Sequence, residues 1–149
     1  MGTTNRTLPR RRHAERPRPG ETIRKRGGAD LQNGWYGRHG TLYLTDERLV
    51  FVPTILDTAL GGKRRELLYD DIVEVERYPS HPDGMIPGGK RPRIILHTAE
   101  CGYELMVADM DAWIDAIEIM YAHRHKNGQQ HTPTFVREGS TTELLRELS

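Results

Sequence analysis

Residues 40–53, Gly-Thr-Leu-Tyr-Leu-Thr-Asp-Glu-Arg-Leu-Val-Phe-Val-Pro, decide the fold. Leu42 and Leu44 alternate with Tyr43, Asp46 and Glu47 supply a turn, and Leu49 to Val52 run back, so the stretch predicts an antiparallel hairpin. Downstream, ELLYDDIVEVERY (66–78) predicts two more strands, with Val73 and Val75 on a buried face and Glu74 and Glu76 on a wet one. RIILHTAECGYELMV (93–107) predicts a further hairpin turning at Glu100-Cys101-Gly102. Upstream, residues 21–26 and 29–32 supply a first strand, with 34–40 as its exit. Roughly seven short strands in turn-linked succession have the spacing of an antiparallel barrel or sandwich.

One helix follows. Asp109 suits the N-cap, and Met110, Trp113, Ile114, Ile117, Met120 and Tyr121 recur at three- and four-residue intervals. Asp111, Asp115, Glu118 and Arg124 fall outside that stripe. The stripe must pack on something, and the open end of the sheet is the large partner available. After Lys126 the chain turns polar, and Ser140-Thr141-Thr142-Glu143 ahead of Leu144, Leu145 and Leu148 has the capping-box pattern. A helix over 141–148 is too short to stand alone, so it reads as a docking peptide or a fraying end.

The 149 residues fit one domain with tails. No apolar run approaches the ~20 residues of a membrane span, and no apolar stretch follows the N-terminal arginines as a secretory signal requires. The single cysteine, Cys101, excludes an internal disulfide and a cysteine-based zinc site, so a reducing, cytoplasmic location is the simplest reading. The net charge of +1 conceals an asymmetry. The first 29 residues hold nine Arg and Lys against two acids, +7, and the remainder sums to -6. Residues 1–19 read as a disordered basic arm, attracted to an anionic surface or simply solvated; residues 20–123 as the domain; residues 124–149 as a flexible tail.

Catalytic chemistry is not evident in the pattern. None of Ser80, Ser140 and Ser149 lies in a nucleophile elbow, and His123 and His125 point about 200° apart on a helix. Asp109, Asp111 and Asp115 lack the glycine of a calcium loop, and Gly61-Gly62-Lys63-Arg64 lacks P-loop spacing. No catalytic residue, metal ligand set or cofactor is expected.

GTLYLTDERLVFVP, with GETIRKRGGADLQNG before it and LLYDDIVEVER, GMIPGGKRPRIIL and GYELMVADMDAWIDAI after it, resembles the GRAM domain of the pleckstrin-homology-like superfamily over residues 20–121, its small bacterial members in particular. The resemblance implies a strongly bent, seven-stranded antiparallel sheet or barrel capped by one C-terminal helix carrying a Trp, here Trp113. It also implies a module that binds lipid headgroups or protein partners. Two features depart from the family pattern, the basic arm and the long Pro/Gly-rich loop YPSHPDGMIPGGKRPR (78–93).

In an up-and-down meander, alternate connections share an end of the sheet. Loops β1–β2, β3–β4 and β5–β6 would then gather Arg38, then Lys63, Arg64 and Arg65, then Lys90, Arg91 and Arg93 on one rim. Glycine pairs precede two of these clusters and let backbone amides approach an anion. Ile55, Leu56 and Leu60 lie beside the second cluster, Met85 and Ile86 beside the third, and Trp35-Tyr36 near the first. Two functions compete. The first is peripheral docking on anionic lipid at the inner face of the membrane through this rim. The second is a protein-interaction adaptor using Met85, Ile86 and the C-terminal leucines. Nucleic-acid binding through the arm is disfavoured, because the domain is acidic and lacks an RNA-type aromatic motif.

Overall fold

Alternation of apolar and polar residues from Ile23 onward builds strands, and a computed structural model describes residues 16–33, 36–78 and 91–137 of them and their surroundings. The order is β1 (Ile23–Asn33), β2 (Tyr36–Thr45), β3 (Arg48–Pro53), a short helix α1 (Ile55–Ala59), β4 (Arg65–Leu68), a 3-10 turn (Tyr69–Asp71), β5 (Ile72–Tyr78), β6 (Arg93–Thr98), β7 (Gly102–Val107), α2 (Met110–Lys126) and β8 (Thr134–Val136). They form one sheet ordered β4-β3-β2-β1-β7-β6-β5-β8. The predicted arrangement is PH-like in outline, with two corrections. The sheet has eight strands rather than seven, and it ends on β4 and β8 instead of closing into a barrel. The eighth strand comes from residues read as a loose tail, and it pairs with β5 in parallel.

The opening hairpin turns at Asp46-Glu47 with Leu42 opposite Phe51 and Leu44 opposite Leu49, all four in the core. β1 is a single long strand, and Gly40, opposite Ala29, belongs to β2 and not to an exit loop. A Cβ on Gly40 would lie 2.3 Å from the Val52 carbonyl oxygen and 2.7 Å from the Phe51 ring, so the close approach of β3 requires glycine there. In β5 the alternation fails. A bulge between Ile72 and Glu74 turns Ile72 and Val75 inward and leaves Val73 46% exposed.

α2 starts at Asp109, whose carboxylate accepts from the Ala112 N–H, and ends with His123, Arg124, His125 and Lys126 in its last turn, complementing the helix dipole. Its stripe of Trp113, Ile114, Ile117, Met120 and Tyr121 is buried against the sheet, each side chain contributing about 1.5–3 kcal/mol by leaving water. The Tyr121 hydroxyl donates to the Tyr69 carbonyl at 2.6 Å, and the Tyr69 hydroxyl donates to the Thr45 carbonyl. Burial pushes both phenols well above their usual range. These links lock the helix to the turn that joins the two halves of the sheet.

Candidate functional site: a basic and apolar rim around α1

α1 begins with a cap readable in the sequence: Thr54 accepts from the Asp57 N–H at 3.2 Å, and the Asp57 carboxylate accepts back from Thr54 Oγ1 at 3.2 Å. Asp57 also accepts the His39 N–H at 2.7 Å, and the Thr54 N–H donates to the His39 carbonyl at 2.9 Å. The short helix is thereby held against the outer half of β2. Arg38 Nη2 donates to the Leu60 carbonyl at 3.2 Å and the Gly62 N–H to the Asp57 carbonyl at 2.6 Å, fastening the far end of the loop. A Cβ on Gly62 would meet that carbonyl oxygen at 2.6 Å.

With its polar groups engaged in this anchoring, α1 turns its apolar side chains outward. Ile55, Leu56 and Leu60 are 59%, 70% and 64% exposed. Lys63, Arg64 and Arg65 follow at once and are exposed. Arg64 bonds Glu66 at 3.2 Å. Arg65 opens β4 opposite Phe51 and, with Tyr103, lines a small crevice whose other walls are apolar.

The third basic cluster arrives differently from the expectation. β7 pairs with β1 at Ala29–Gln32, so the register carries the 99–101 hairpin toward the β1–β2 turn. The β5–β6 connection leaves from the opposite end of β6, where Arg93 faces Tyr78. Alternate connections along one continuous meander therefore do not share an end, because the pairing order restarts at β5. Arg91 nevertheless reaches back: Nη1 bonds Asp30 at 3.2 Å on the outer side of β1. Asp30 also bonds His39 Nδ1 at 2.5 Å, and that hydrogen bond holds the imidazolium above its ordinary range. Arg91 thus meets the strand that carries α1. Arg93 is buried; its guanidinium bonds the Arg91 carbonyl, Gln32 and Glu104 at 2.9–3.3 Å, so it braces β6 instead of facing solvent. Trp35, Met85, Ile86, Lys90 and the 141–148 helix lie outside the described residues.

No family profile and no curated protein matches the chain. Solved structures do. The C-terminal domain of an unknown protein from Leishmania infantum is 16% identical, with a TM-score of 0.55 covering 81% of this chain and 96% of that one. The Vps36 N-terminal PH domain is 18% identical, with a TM-score of 0.52 over 75% and 86%. The hSac2 domain from human phosphoinositide phosphatase Sac2 is 9% identical, with a TM-score of 0.56 over 92% and 88%. The chain has a PH-like fold.

Two features of this PH-like molecule escaped the sequence reading. On β5 and β6, Glu74, Glu76 and His97 place ligand-type atoms within 4.8 Å of one another, and His97 Nε2 contacts Glu76 at 2.9 Å. Strand alternation sets this half-exposed trio on one face; the signal was present in Glu74-x-Glu76, but its partner depended on the bulge. The second is the return of residues 131–137 onto β5 and α2, which no local pattern marks. Among the described residues, no helix is long and apolar enough to cross a membrane.

Proposed function

We propose that the chain is a non-catalytic PH/GRAM-like binding module that docks on anionic lipid headgroups at a membrane surface. The observation that carries this is α1: three large apolar side chains held outward on an anchored helix, with Lys63, Arg64 and Arg65 directly behind them. An interfacial site needs apolar groups to enter the bilayer boundary and cations to meet the headgroups. Each base near such a surface contributes about 1 kcal/mol. Arg38, Lys63, Arg64 and Arg65 form the primary contact in this reading, joined by Lys90 and Arg91 from the 79–92 connection, while Arg93 serves the fold. Trp35 at the β1–β2 turn supplies an interfacial ring. Residues 1–19 act as a basic arm that adds long-range attraction without fixed geometry. One of the fold relatives is a domain from a phosphoinositide phosphatase, and phosphoinositides belong to the anionic lipid class proposed.

Sedimentation with phosphatidylcholine vesicles, with and without phosphatidylserine, at low and high salt tests the reading. Binding should require phosphatidylserine and weaken with salt. Equal binding to both vesicle types, or none to either, would overturn it.

A further inference from the structure

Every strand pair in the sheet is antiparallel except β5–β8, and β8 is carried by residues that follow the helix. After Lys126 the chain reverses at Gly128, whose φ of +92° suits glycine, and returns along α2. It then adds to the edge of β5, with Glu74, Val75 and Glu76 opposite Thr134, Phe135 and Val136. Without it, β5 would present a row of unpaired backbone groups.

Three separable contacts hold the segment. His131 Nε2 donates to the Ile72 carbonyl at 2.7 Å. Phe135 packs against the core and meets the Tyr121 ring edge-on, with centroids 6.2 Å apart and planes at 80°. Arg137 reaches α2 and bonds Asp115 at 2.6 Å and Glu118. The host groups are fixed independently, β5 by its ladder with β6 and α2 by its buried stripe. Strand edge, aromatic socket and acidic pair together make a receptor for an extended peptide.

We propose that the groove between β5 and α2 is a peptide-binding site for a partner segment carrying an aromatic residue and, two positions later, an arginine, and that residues 129–137 occupy it in cis as a competitor. The site is distinct from the α1 rim and stands whether or not the rim binds lipid. The cis occupant is built to leave: its ladder is three residues long, Phe135 is only half-buried, and Arg137 makes a solvent-exposed pair of the kind that contributes little. Exchange of the segment between two copies would remake the same contacts and gain none, at the cost of association, so a different protein is the occupant that benefits. Tethering gives the cis segment a high effective concentration, so a partner enters when its own contacts are better or when the clasp is weakened.

The test uses a fluorescein-labelled peptide of sequence Gln-Gln-His-Thr-Pro-Thr-Phe-Val-Arg (129–137) and the full chain, read by anisotropy. Arg137→Glu in the chain sets the clasp's charge against Asp115 and Glu118 and leaves the groove intact. That variant should bind the peptide about tenfold tighter than the wild type, as expected when a tethered competitor is weakened. The same peptide with alanine at the Phe and Arg positions should not bind. A second opener, Phe135→Ala combined with Arg137→Glu, removes the aromatic plug as well. Circular dichroism and melting establish that each variant is folded. No peptide binding by either folded variant overturns the proposal. So does a wild-type dimer that dissociates on Arg137→Glu, which would assign the segment to a second copy.

Discussion

The Arg48 guanidinium and the Glu21 carboxylate meet inside the molecule as a two-point pair, Nε to Oε2 at 2.8 Å and Nη2 to Oε1 at 2.9 Å. Thr45 Oγ1 donates to the same carboxylate at 2.8 Å, so the residue just before β1 is tied to both strands of the β2–β3 hairpin. Both side chains are withdrawn from solvent, and neither charge would be tolerated there alone.

Acid sensitivity follows from that pair. Hydrogen bonding to Arg48 lowers the Glu21 pKa from 4.5 to about 2 in the folded chain. Because the folded value lies below the unfolded one, the stabilisation is complete at neutral pH. It is lost as pH falls from about 5 toward the folded pKa. Glu21→Gln leaves the Arg48 charge without its main partner and should cost about 3–5 kcal/mol in urea unfolding. It should also flatten the acid limb of the stability profile. A variant with wild-type acid dependence would show that other carboxylates govern it.

Trp113 rests on a glycine. A Cβ at Gly27 would stand 3.2 Å from Trp113 Cζ2, and Lys25 Nζ lies 5.0 Å from the ring centroid. Trp113→Ala should cost about 3–5 kcal/mol, as large aromatic truncations in cores do. Gly27→Val, which adds volume beneath the ring, should cost about 1–3 kcal/mol. Thermal melts of the two variants check both, and a near-neutral Trp113→Ala would mean that α2 does not close the sheet.

Charge reversal at Lys63, Arg64, Lys90 and Arg91 should abolish salt-sensitive binding to phosphatidylserine vesicles. The pairs Arg64–Glu66 and Arg91–Asp30 are exposed, so each loss should change stability by no more than about 1 kcal/mol. Vesicle binding by the quadruple variant equal to the wild type's would remove the rim from consideration. Deleting residues 1–19 should weaken binding only in part.

Leu56→Asp and Ile55→Asp separate docking from folding. Both side chains already face water, so melting should stay within about 0.5 kcal/mol of wild type. A fully buried Leu or Ile contributes about 1.5–3 kcal/mol, so each change should reduce vesicle partitioning by about tenfold or more. Unchanged partitioning would mean that α1 stays outside the bilayer boundary.

The legible parts of the molecule are those whose cause is local. The hairpin over 40–53 follows from strand alternation about an Asp-Glu turn, and α2 from a cap plus a 3.6-residue stripe. The apolar tip of α1 and the bases behind it are sequence neighbours, so their association needed no fold to reveal it. Val73 was misplaced because a single-residue bulge reverses every side chain on one side of it. Arg93 was assigned to the rim because its partner Gln32 is 61 residues away, and burial by a distant side chain leaves no local mark.

Alternation, capping and turn chemistry act over a few residues, so the sequence by itself determined the identity of the strands β1–β7, the helix with its buried Trp113, and the adjacency of apolar and basic groups around residues 55–65. The tertiary structure alone decided which strands became neighbours. Pairing β7 with β1 moved the β5–β6 connection away from the other two loops, and only the side chain of Arg91 reaches back to Asp30. It also decided the fate of residues 131–137. A three-residue strand has too little pattern to be seen, and its place is set by an edge on β5, a ring at Tyr121 and two acids on α2 that come together only once the chain has folded.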